Sequence, residues 1–276
     1  MKTKIIVDST ADLIPAVKCR VEVVPLTVYF GEKGYLDGVE TDHHEFYTML
    51  ERSSELPKTA QATPEDFRRV LDGLTEGEGA VIITLSQKLS GTYQSALMAA
   101  QGRDGVFVVD CGSTAVGGGA LTEYALRLLD EGKGAAEIAE LLERKKGHLC
   151  LIAKVDTLEY LRRGGRLSRT AAIAGGILNV KPVLTLTDGE LTPIGRVRGD
   201  ARAGALVAEK IASFGGIDPT MPYLVGYAGL SDEPALRFIK EHGDIFPDGK
   251  AEVTCIGSVI GTHAGPGTVA VAFFVP

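Results

Sequence analysis

Short apolar runs alternate with helical patterns through the first half of the chain, and this alternation limits the possible folds more than any other feature. Each run is long enough for one buried strand, and the residues between runs repeat with helical periodicity. Such β-α units are typical of a largely parallel sheet. The four candidate strands are residues 4–9, 21–30, 80–86 and 106–111.

Two of the helical patterns carry clear boundary signals. Thr63 followed by Pro64 predicts that a helix begins in TPEDFRRVLDGL, because threonine caps helices and proline fits the first helical position. Residues 119–147 predict two amphipathic helices that are separated by a break at 132–134, GKG.

The pattern changes near Gly147. Asp188-Gly189 is a hairpin signal between two apolar runs, so this half of the chain contains antiparallel pairing. We therefore predict an α/β fold of two domains. A parallel α/β N-terminal domain spans residues 1–147, and an α+β C-terminal domain with a mixed sheet spans residues 148–276.

Two segments of the second half bear on the site. Residues 156–179 predict a helix, a Gly-Gly stop and a second helix of small residues, which together form a crossover between strands. Residues 252–275, EVTCIGSVIGTHAGPGTVAVAFFV, predict strand structure interrupted by a loop at GTHAGPG.

Composition excludes several classes of partner. The chain of 276 residues has 29 basic and 36 acidic side chains and a formal charge of −7, which disfavours nucleic acid and anionic membranes as partners. The N-terminus lacks a signal-peptide pattern and no run approaches ~18 apolar residues, so we predict a soluble, cytoplasmic protein. The four cysteines form no paired motif and are predicted to be buried free thiols.

A polar segment follows the third candidate strand, where AVII is succeeded by TLSQKLSGTYQSA at residues 84–96. Ser90 stands at the predicted N-cap of the next helix, so its hydroxyl and the free backbone N–H groups face one point. Such a point attracts a carboxylate or a phosphate. The alternative is that Ser90 caps its helix and binds no ligand.

Three further segments combine polar groups with a strand end or a helix start: 8–13 (DSTADL), 58–67 (KTAQATPEDF) and 110–121 (DCGSTAVGGGAL). Ligands collect at the carboxyl ends of strands in an open parallel sheet. Together the loops therefore predict a binding site at one edge of the sheet. Asp8 has the alternative of a simple cap or turn residue.

Charged and ionisable side chains form a second group of candidates. Arg166 in GGRLS and Arg198 in GRVRG present planar donors suited to carboxylate or phosphate, although solvated surface arginines are the alternative. His263 is enclosed by glycine and proline in a predicted loop, so its ring is expected to be presented rather than packed. Residues 42–44, DHH, are interpreted as an exposed helix start because no spaced third metal ligand accompanies them.

Standard enzyme motifs are mostly missing. The sequence has no G-x-S-x-G elbow, Walker A loop, H-E-x-x-H or EF-hand loop. GPGTVA at residues 265–270 fits a relaxed dinucleotide fingerprint, but it precedes a predicted strand and not a helix. We therefore do not interpret it as a nucleotide site.

Six motifs occur in a recognisable order: DSTADL, TAQATPEDF, LSGTYQSA, TLEYLRRGGRLS, ILNVKPVL followed by GRVRG, and THAGPG. In this order they resemble the DegV family of fatty-acid-binding proteins, over nearly the whole chain. The resemblance implies a two-domain α/β fold with one long-chain fatty acid buried between the domains. It implies no catalytic centre, metal or cofactor in this chain.

The resemblance also implies a partner. In the best-understood members, the protein is the lipid carrier subunit of a bacterial fatty acid kinase. It presents the acyl carboxylate to a separate kinase subunit, on which ATP and Mg are expected. The acyl phosphate product then feeds phospholipid synthesis.

The resemblance also implies roles for individual residues of this chain. It implies that Thr59 of KTAQ, Ser90 of LSGT and His263 of THAGPG hydrogen-bond the carboxylate. Gly91 would let the backbone approach the head group closely. Arg166 of GGR would belong to the surrounding network or the phosphoryl-transfer surface, and so would Arg198 of VRG.

The chain departs from the family pattern at two places. Ala60 stands where the family commonly has serine, and residues 110–116, DCGSTAV, replace a serine-rich loop. These departures concern the polar contacts around the head group more than the fold. They are also compatible with a different acyl preference.

Two other function classes remain open at this point. Ser90 and His263 could act as nucleophile and base of an acyl-transfer or esterase enzyme. The strand ends could instead bind a small anion or phosphorylated metabolite without any apolar tunnel. The apolar segment 172–178, AIAGGIL, disfavours the small-anion hypothesis, although it is also compatible with ordinary core.

Overall fold

The computed structural model of the chain describes residues 2–167 and 180–276. The strands are β1 Lys2–Asp8, β2 Glu22–Val24, β3 Thr27–Phe30, β4 Lys33–Leu36, β5 Lys58–Ala60, β6 Glu78–Thr84, β7 Val106–Asp110, β8 Leu149–Lys154, β9 Val180–Thr187, β10 Glu190–Arg198, β11 Leu224–Tyr227, β12 Glu252–Cys255 and β13 Val269–Phe274. The helices are α1 Pro15–Lys18, α2 His43–Arg52, α3 Pro64–Leu71, α4 Thr92–Ala100, α5 Val116–Asp130, α6 Ala135–Lys145, α7 Glu159–Arg163, α8 Asp200–Ser213, α9 Glu233–Glu241 and α10 Ser258–Ala264. Short 3₁₀ helices lie at Lys146–His148, Gly243–Ile245 and Pro247–Gly249.

The first half of the chain forms the predicted parallel sheet, with strand order β2-β1-β6-β7. One predicted strand, residues 21–30, is wrong as a single element. It divides into β2, which joins the parallel sheet, and β3, which belongs to a separate antiparallel sheet of order β4-β3-β5. Pro25 lies between the two strands and has no N–H for a ladder bond, which explains the interruption.

Helix boundaries in this half follow the sequence signals. Thr63 and Asp66 form a capping box at the start of α3, and Asp42 and Glu45 form one at the start of α2. Residues 42–44 are therefore a helix start, as predicted. Helices α5 and α6 are separated at Glu131–Gly134, which confirms the predicted break.

The second half forms a mixed sheet of order β10-β9-β8-β13-β11-β12. In the described part of the sheet, β11 and β12 are parallel to each other, and the other neighbouring pairs are antiparallel. Asp188 and Gly189 join β9 to β10 with φ values of 50° and 78°, the backbone conformation that a two-residue hairpin requires. The mixed α/β architecture is therefore confirmed, whereas the domain boundary near Gly147 stays a prediction.

Two predictions for the second half of the chain are not confirmed in full. Helix α7 ends at Gly164-Gly165, as the Gly-Gly stop indicated, but the second helix of the predicted crossover lies outside the described residues. Residues 258–264 form helix α10, so the prediction of strand and loop there is wrong. Among the helices that the structure describes, none is long and apolar enough to cross a bilayer.

The cysteines follow the prediction only in part. All four thiols are free, and Cys111 is buried. Cys19 is exposed, because it directly follows the short surface helix α1. The prediction of a buried thiol is therefore wrong for Cys19.

Helix α5 packs between the two larger sheets and contacts β1, β6, β8, β11 and β13. Its first turns contain the triplet 117–119, GGG, which by helix propensity alone is unfavourable by roughly 1 kcal/mol per glycine. At Gly119 a Cβ atom would overlap the carbonyl oxygen of Asp12, and at Gly118 it would lie 3.2 Å from the Cβ of Ala11. These glycines therefore let α5 approach the backbone that follows β1.

We expect Gly119→Ala to destabilise the protein by about 2 kcal/mol, because overpacking against Asp12 outweighs the gain in helix propensity. Urea denaturation would measure the free energy of unfolding. Gly147→Ala is the control, since a Cβ there meets no atom within 4 Å. Equal stabilities of the two variants would contradict this account of α5 packing.

Candidate functional site

A largely apolar cavity, with about 790 Å³ of space when the open solvent at it is included, is lined by residues from both halves of the chain. Alanine, valine, leucine and isoleucine side chains form most of the lining. Among the residues that the structure describes, the polar lining residues are Thr59, Gln61, Ser90, Thr114, Arg166, His263 and Thr268.

Strand β8 forms one wall of this cavity. Leu151, Ala153 and the next residue in this alternation, Val155, line it. Ile152 belongs to the core on the other face of the sheet, as strand alternation requires. At the end of the strand, Val155 packs with Leu161.

Thr59 and His263 form the central polar contact of the cavity. The Oγ1 atom of Thr59 in β5 and the Nε2 atom of His263 in α10 are 2.9 Å apart. The side chain of His263 is packed, with 9% of the residue exposed. The prediction of a presented ring in a loop is therefore wrong, because Gly265 with a φ of 75° ends helix α10 only after His263.

Burial controls the charge of His263. It lowers the pKa of the imidazole to about 4, and the positive charge of Arg166 lowers the pKa further in the same direction. The ring is consequently neutral near pH 7 and carries one N–H.

The surroundings of the ring favour one tautomer. Among residues 2–167 and 180–276, no group hydrogen-bonds the buried Nδ1 atom, and a Cβ on Gly164 would overlap that atom. A proton on Nε2 is therefore favoured, because it can be donated to the Thr59 oxygen. The hydroxyl hydrogen of Thr59 is then available to a ligand.

Ser90 lies in the turn before helix α4. The N-cap of this helix is Gly91, so the prediction that Ser90 is the N-cap is wrong by one residue. The Ser90 Oγ atom accepts a hydrogen bond of 3.3 Å from the Thr92 N–H and lies 2.9 Å from the Thr92 hydroxyl oxygen. Ser90 still lines the cavity, together with Thr59 and His263.

The absence of a side chain at Gly91 is explained by Gln61, which the sequence alone did not identify as a site residue. A Cβ on Gly91 would overlap the side-chain oxygen of Gln61. The Gln61 amide donates a 3.0 Å hydrogen bond to the Ser95 hydroxyl in α4, and Gln61 lines the cavity. The KTAQ motif contained this glutamine, but only the folded chain shows that Gly91 makes room for it.

The structure separates the two candidate arginines. Arg166 lines the cavity, and its guanidinium donates hydrogen bonds of 3.1 Å to the Leu89 carbonyl and 2.8 Å to the Gly164 carbonyl. Arg198 is exposed at the end of β10 and does not line the cavity. The two therefore do not form one anion clamp.

Asp8 is a buried turn residue. Its carboxylate accepts hydrogen bonds from the Thr10 N–H and hydroxyl and a 2.7 Å bond from the Leu85 N–H, which ties the end of β1 to the end of β6. Burial raises the pKa of Asp8 to about 6. The alternative of a turn residue is thus the one that the geometry favours.

Two further carboxylates, at Asp12 and Asp37, hold the N-terminus of α10. Asp12 accepts a 2.8 Å hydrogen bond from the Gly257 N–H, and Asp37 accepts bonds from the Ser258 N–H and hydroxyl. The sequence analysis missed this role. The DSTADL motif contained Asp12, but no signal pointed to Asp37.

Ser90 and His263 do not form a catalytic pair in this structure. The hydrogen-bond partner of the imidazole is Thr59, and that of the Ser90 hydroxyl is Thr92. A nucleophile and its base are normally within hydrogen-bond reach. Within the described part of the chain, no group of three or more His, Cys, Asp or Glu side chains could hold a metal ion.

Comparison with known proteins gives one consistent result. The sequence profile "Uncharacterised protein, DegV family" matches residues 2–275. A DegV domain-containing protein of Caldanaerobacter subterraneus subsp. tengcongensis is 37% identical over 283 residues, which cover 99% of this chain and 98% of the relative. A protein of Thermotoga maritima named fatty acid-binding protein is 32% identical over 283 residues, with 98% of this chain and 96% of the relative covered.

A solved structure supports the same conclusion. It describes fatty acid binding by a DegV family protein from Thermus thermophilus, which is 32% identical to this chain, with a TM-score of 0.88 and all of both chains covered. Members of the family therefore bind fatty acids, and the resemblance carried by the six motifs is confirmed. By sequence and by fold, this chain belongs to the DegV family.

Proposed function

We propose that this protein binds one long-chain fatty acid in the cavity, with the carboxylate at Thr59, Ser90 and His263. The observation that carries the proposal is an apolar cavity with a neutral histidine-threonine pair in its wall. The names of the relatives from Thermotoga maritima and Thermus thermophilus support the same ligand class.

The apolar lining can supply the affinity. A 16-carbon acid has about 14 methylene groups, and burying them at ~0.8 kcal/mol each favours binding by about 11 kcal/mol before the costs of ordering. A small anion would gain nothing from this lining. The cavity therefore favours a lipid over a small phosphorylated metabolite.

The head-group site is suited to a carboxylate that must react later. Thr59 and Ser90 present hydroxyls, and the neutral His263 orients the Thr59 hydroxyl. Neutral donors hold an anion less firmly than a buried arginine-carboxylate pair would. A carboxylate bound in this way remains available for transfer of a phosphoryl group to it.

The second part of the proposal concerns the partner. The protein presents the bound carboxylate to a separate fatty acid kinase subunit, which supplies ATP and Mg and forms the acyl phosphate. Arg166 lies at the cavity, and Arg198 is exposed on β10. In this proposal Arg166 supports the head-group site, and Arg198 contributes to the surface that meets the kinase.

Replacing the Thr59 hydroxyl should weaken fatty acid binding. We expect Thr59→Val to bind palmitate about 10- to 100-fold less tightly, because a hydrogen bond to a charged group contributes about 1.5–3 kcal/mol. Calorimetric titration of delipidated protein would measure the affinity. Thr192→Val, in β10 and outside the cavity lining, is the control, and equal affinities of both variants would refute the head-group assignment.

The kinase role has its own test. With the catalytic subunit of a bacterial fatty acid kinase, Arg198→Ala should form acyl phosphate about tenfold more slowly while palmitate affinity stays within twofold, because Arg198 lies outside the cavity. Arg144→Ala, on the exposed face of α6, is the control. Unchanged turnover in Arg198→Ala would remove Arg198 from the kinase-facing surface.

The buried neutral His263 predicts a pH dependence of stability. Its folded pKa of about 4 lies below the ordinary value of 6.5, so between these values the unfolded chain takes up a proton that the folded chain does not. From pH 7 to pH 4 the wild type should therefore lose ~3 kcal/mol more unfolding free energy than His263→Gln. Urea denaturation at several pH values would measure this, and parallel curves would contradict a neutral buried imidazole.

A further inference from the structure

Thr114 places a second polar group in the cavity wall. The residue lines the cavity and is only 6% exposed, and within residues 2–167 and 180–276 its buried Oγ1 atom has no hydrogen-bond partner. Buried hydroxyls in proteins are usually paired, because an unpaired one has lost its bonds to water. By contrast, the hydroxyl of Thr268, in the same cavity, donates to the Ala264 and Gly265 carbonyls.

The backbone on both sides of Thr114 is held by hydrogen bonds. The Ser86 N–H donates a 2.8 Å hydrogen bond to the Ser113 carbonyl, and the Asp12 N–H donates a 3.2 Å bond to the Ala115 carbonyl. Ala115 also has a φ of 53°, a value that is uncommon for a residue other than glycine. The loop therefore fixes Thr114 at the cavity wall.

Strand β8 runs along the cavity, so it can be used to locate Thr114 relative to the head-group site. At one end of the wall, Val155 packs with Leu161, whose carbonyl accepts a hydrogen bond from the Arg166 N–H. At the other end lies Leu151, and a Cβ on Gly117 would be 3.4 Å from its Cδ1 atom. Leu151 and Val155 are four residue steps apart, about 13 Å at ~3.3 Å per residue.

A Cβ on Gly226 would be 2.8 Å from the side chain of Val116, and Gly226 pairs with Ala270, which in turn pairs with Ala153. The loop that contains Thr114, just before Val116, therefore lies at the level of Ala153 in the sheet, whereas His263 lies at the Val155 end. A Cβ on Gly164, two residues before Arg166, would overlap the His263 imidazole. A fatty acid whose carboxylate is at His263 and whose chain follows β8 thus passes the loop that contains Thr114.

We propose that Thr114 is a specificity-determining residue that selects acyl chains bearing a hydroxyl group. A secondary alcohol both donates and accepts hydrogen bonds, as the threonine hydroxyl does, so the two groups satisfy each other. An unsubstituted chain leaves the Thr114 hydroxyl unpaired. This inference rests on the proposed binding of a fatty acid in the cavity.

The test compares stearate with a series of hydroxystearates that carry the hydroxyl at positions from the carboxylate to the methyl end. Calorimetric titration of delipidated wild type should show one isomer binding about three- to tenfold more tightly than stearate. Thr114→Val should abolish this difference in affinity while binding stearate at least as tightly as the wild type. Thr114→Ser, which keeps the hydroxyl, should retain the ratio.

Thr268→Val is the matched control, because it makes the same substitution in the same cavity at a hydroxyl that already has partners. It should keep the wild-type ratio of affinities for the hydroxystearate and for stearate. The inference is overturned if no isomer exceeds stearate in the wild type, or if Thr114→Val keeps the ratio. Normal stearate binding in that case leaves the proposed function intact, whereas absence of stearate binding overturns both.

Discussion

The site depends on the attachment of helix α10 at its N-terminus. The carboxylates of Asp12 and Asp37 accept hydrogen bonds from the first free N–H groups of this helix, at Gly257 and Ser258. Burial raises the pKa of both carboxyls, so these bonds offset an unfavourable desolvation. In return, a helix of seven residues is held in one place and carries His263 in its last turn.

This attachment also joins parts of the chain that are distant in sequence. Asp12 follows β1, Asp37 follows β4, and α10 immediately precedes β13 of the mixed sheet. The buried Tyr47 hydroxyl donates to the Ile256 carbonyl just before the helix, and a Cβ on Gly261 would crowd the Tyr47 ring. The pairing of Thr59 with His263 therefore rests on contacts between both halves of the chain.

The chemistry of the cavity follows from the same burial. An imidazole in water would be partly charged near neutral pH, but desolvation keeps His263 neutral and makes it an orienting partner for Thr59. The cavity wall is otherwise apolar except at a few hydroxyl, amide and guanidinium groups. Affinity then comes from methylene burial, and the position of the ligand is set by a small number of hydrogen bonds.

Local patterns in the sequence determined the elements of this protein, and only the tertiary structure decided its site. Strand runs, capping boxes and the Asp188-Gly189 hairpin could be predicted because each depends on neighbouring residues. The motifs also identified the family. By contrast, the pairing of His263 with Thr59 spans 204 residues and the contact of Arg166 with Leu89 spans 77, and local periodicity does not encode contacts of this kind.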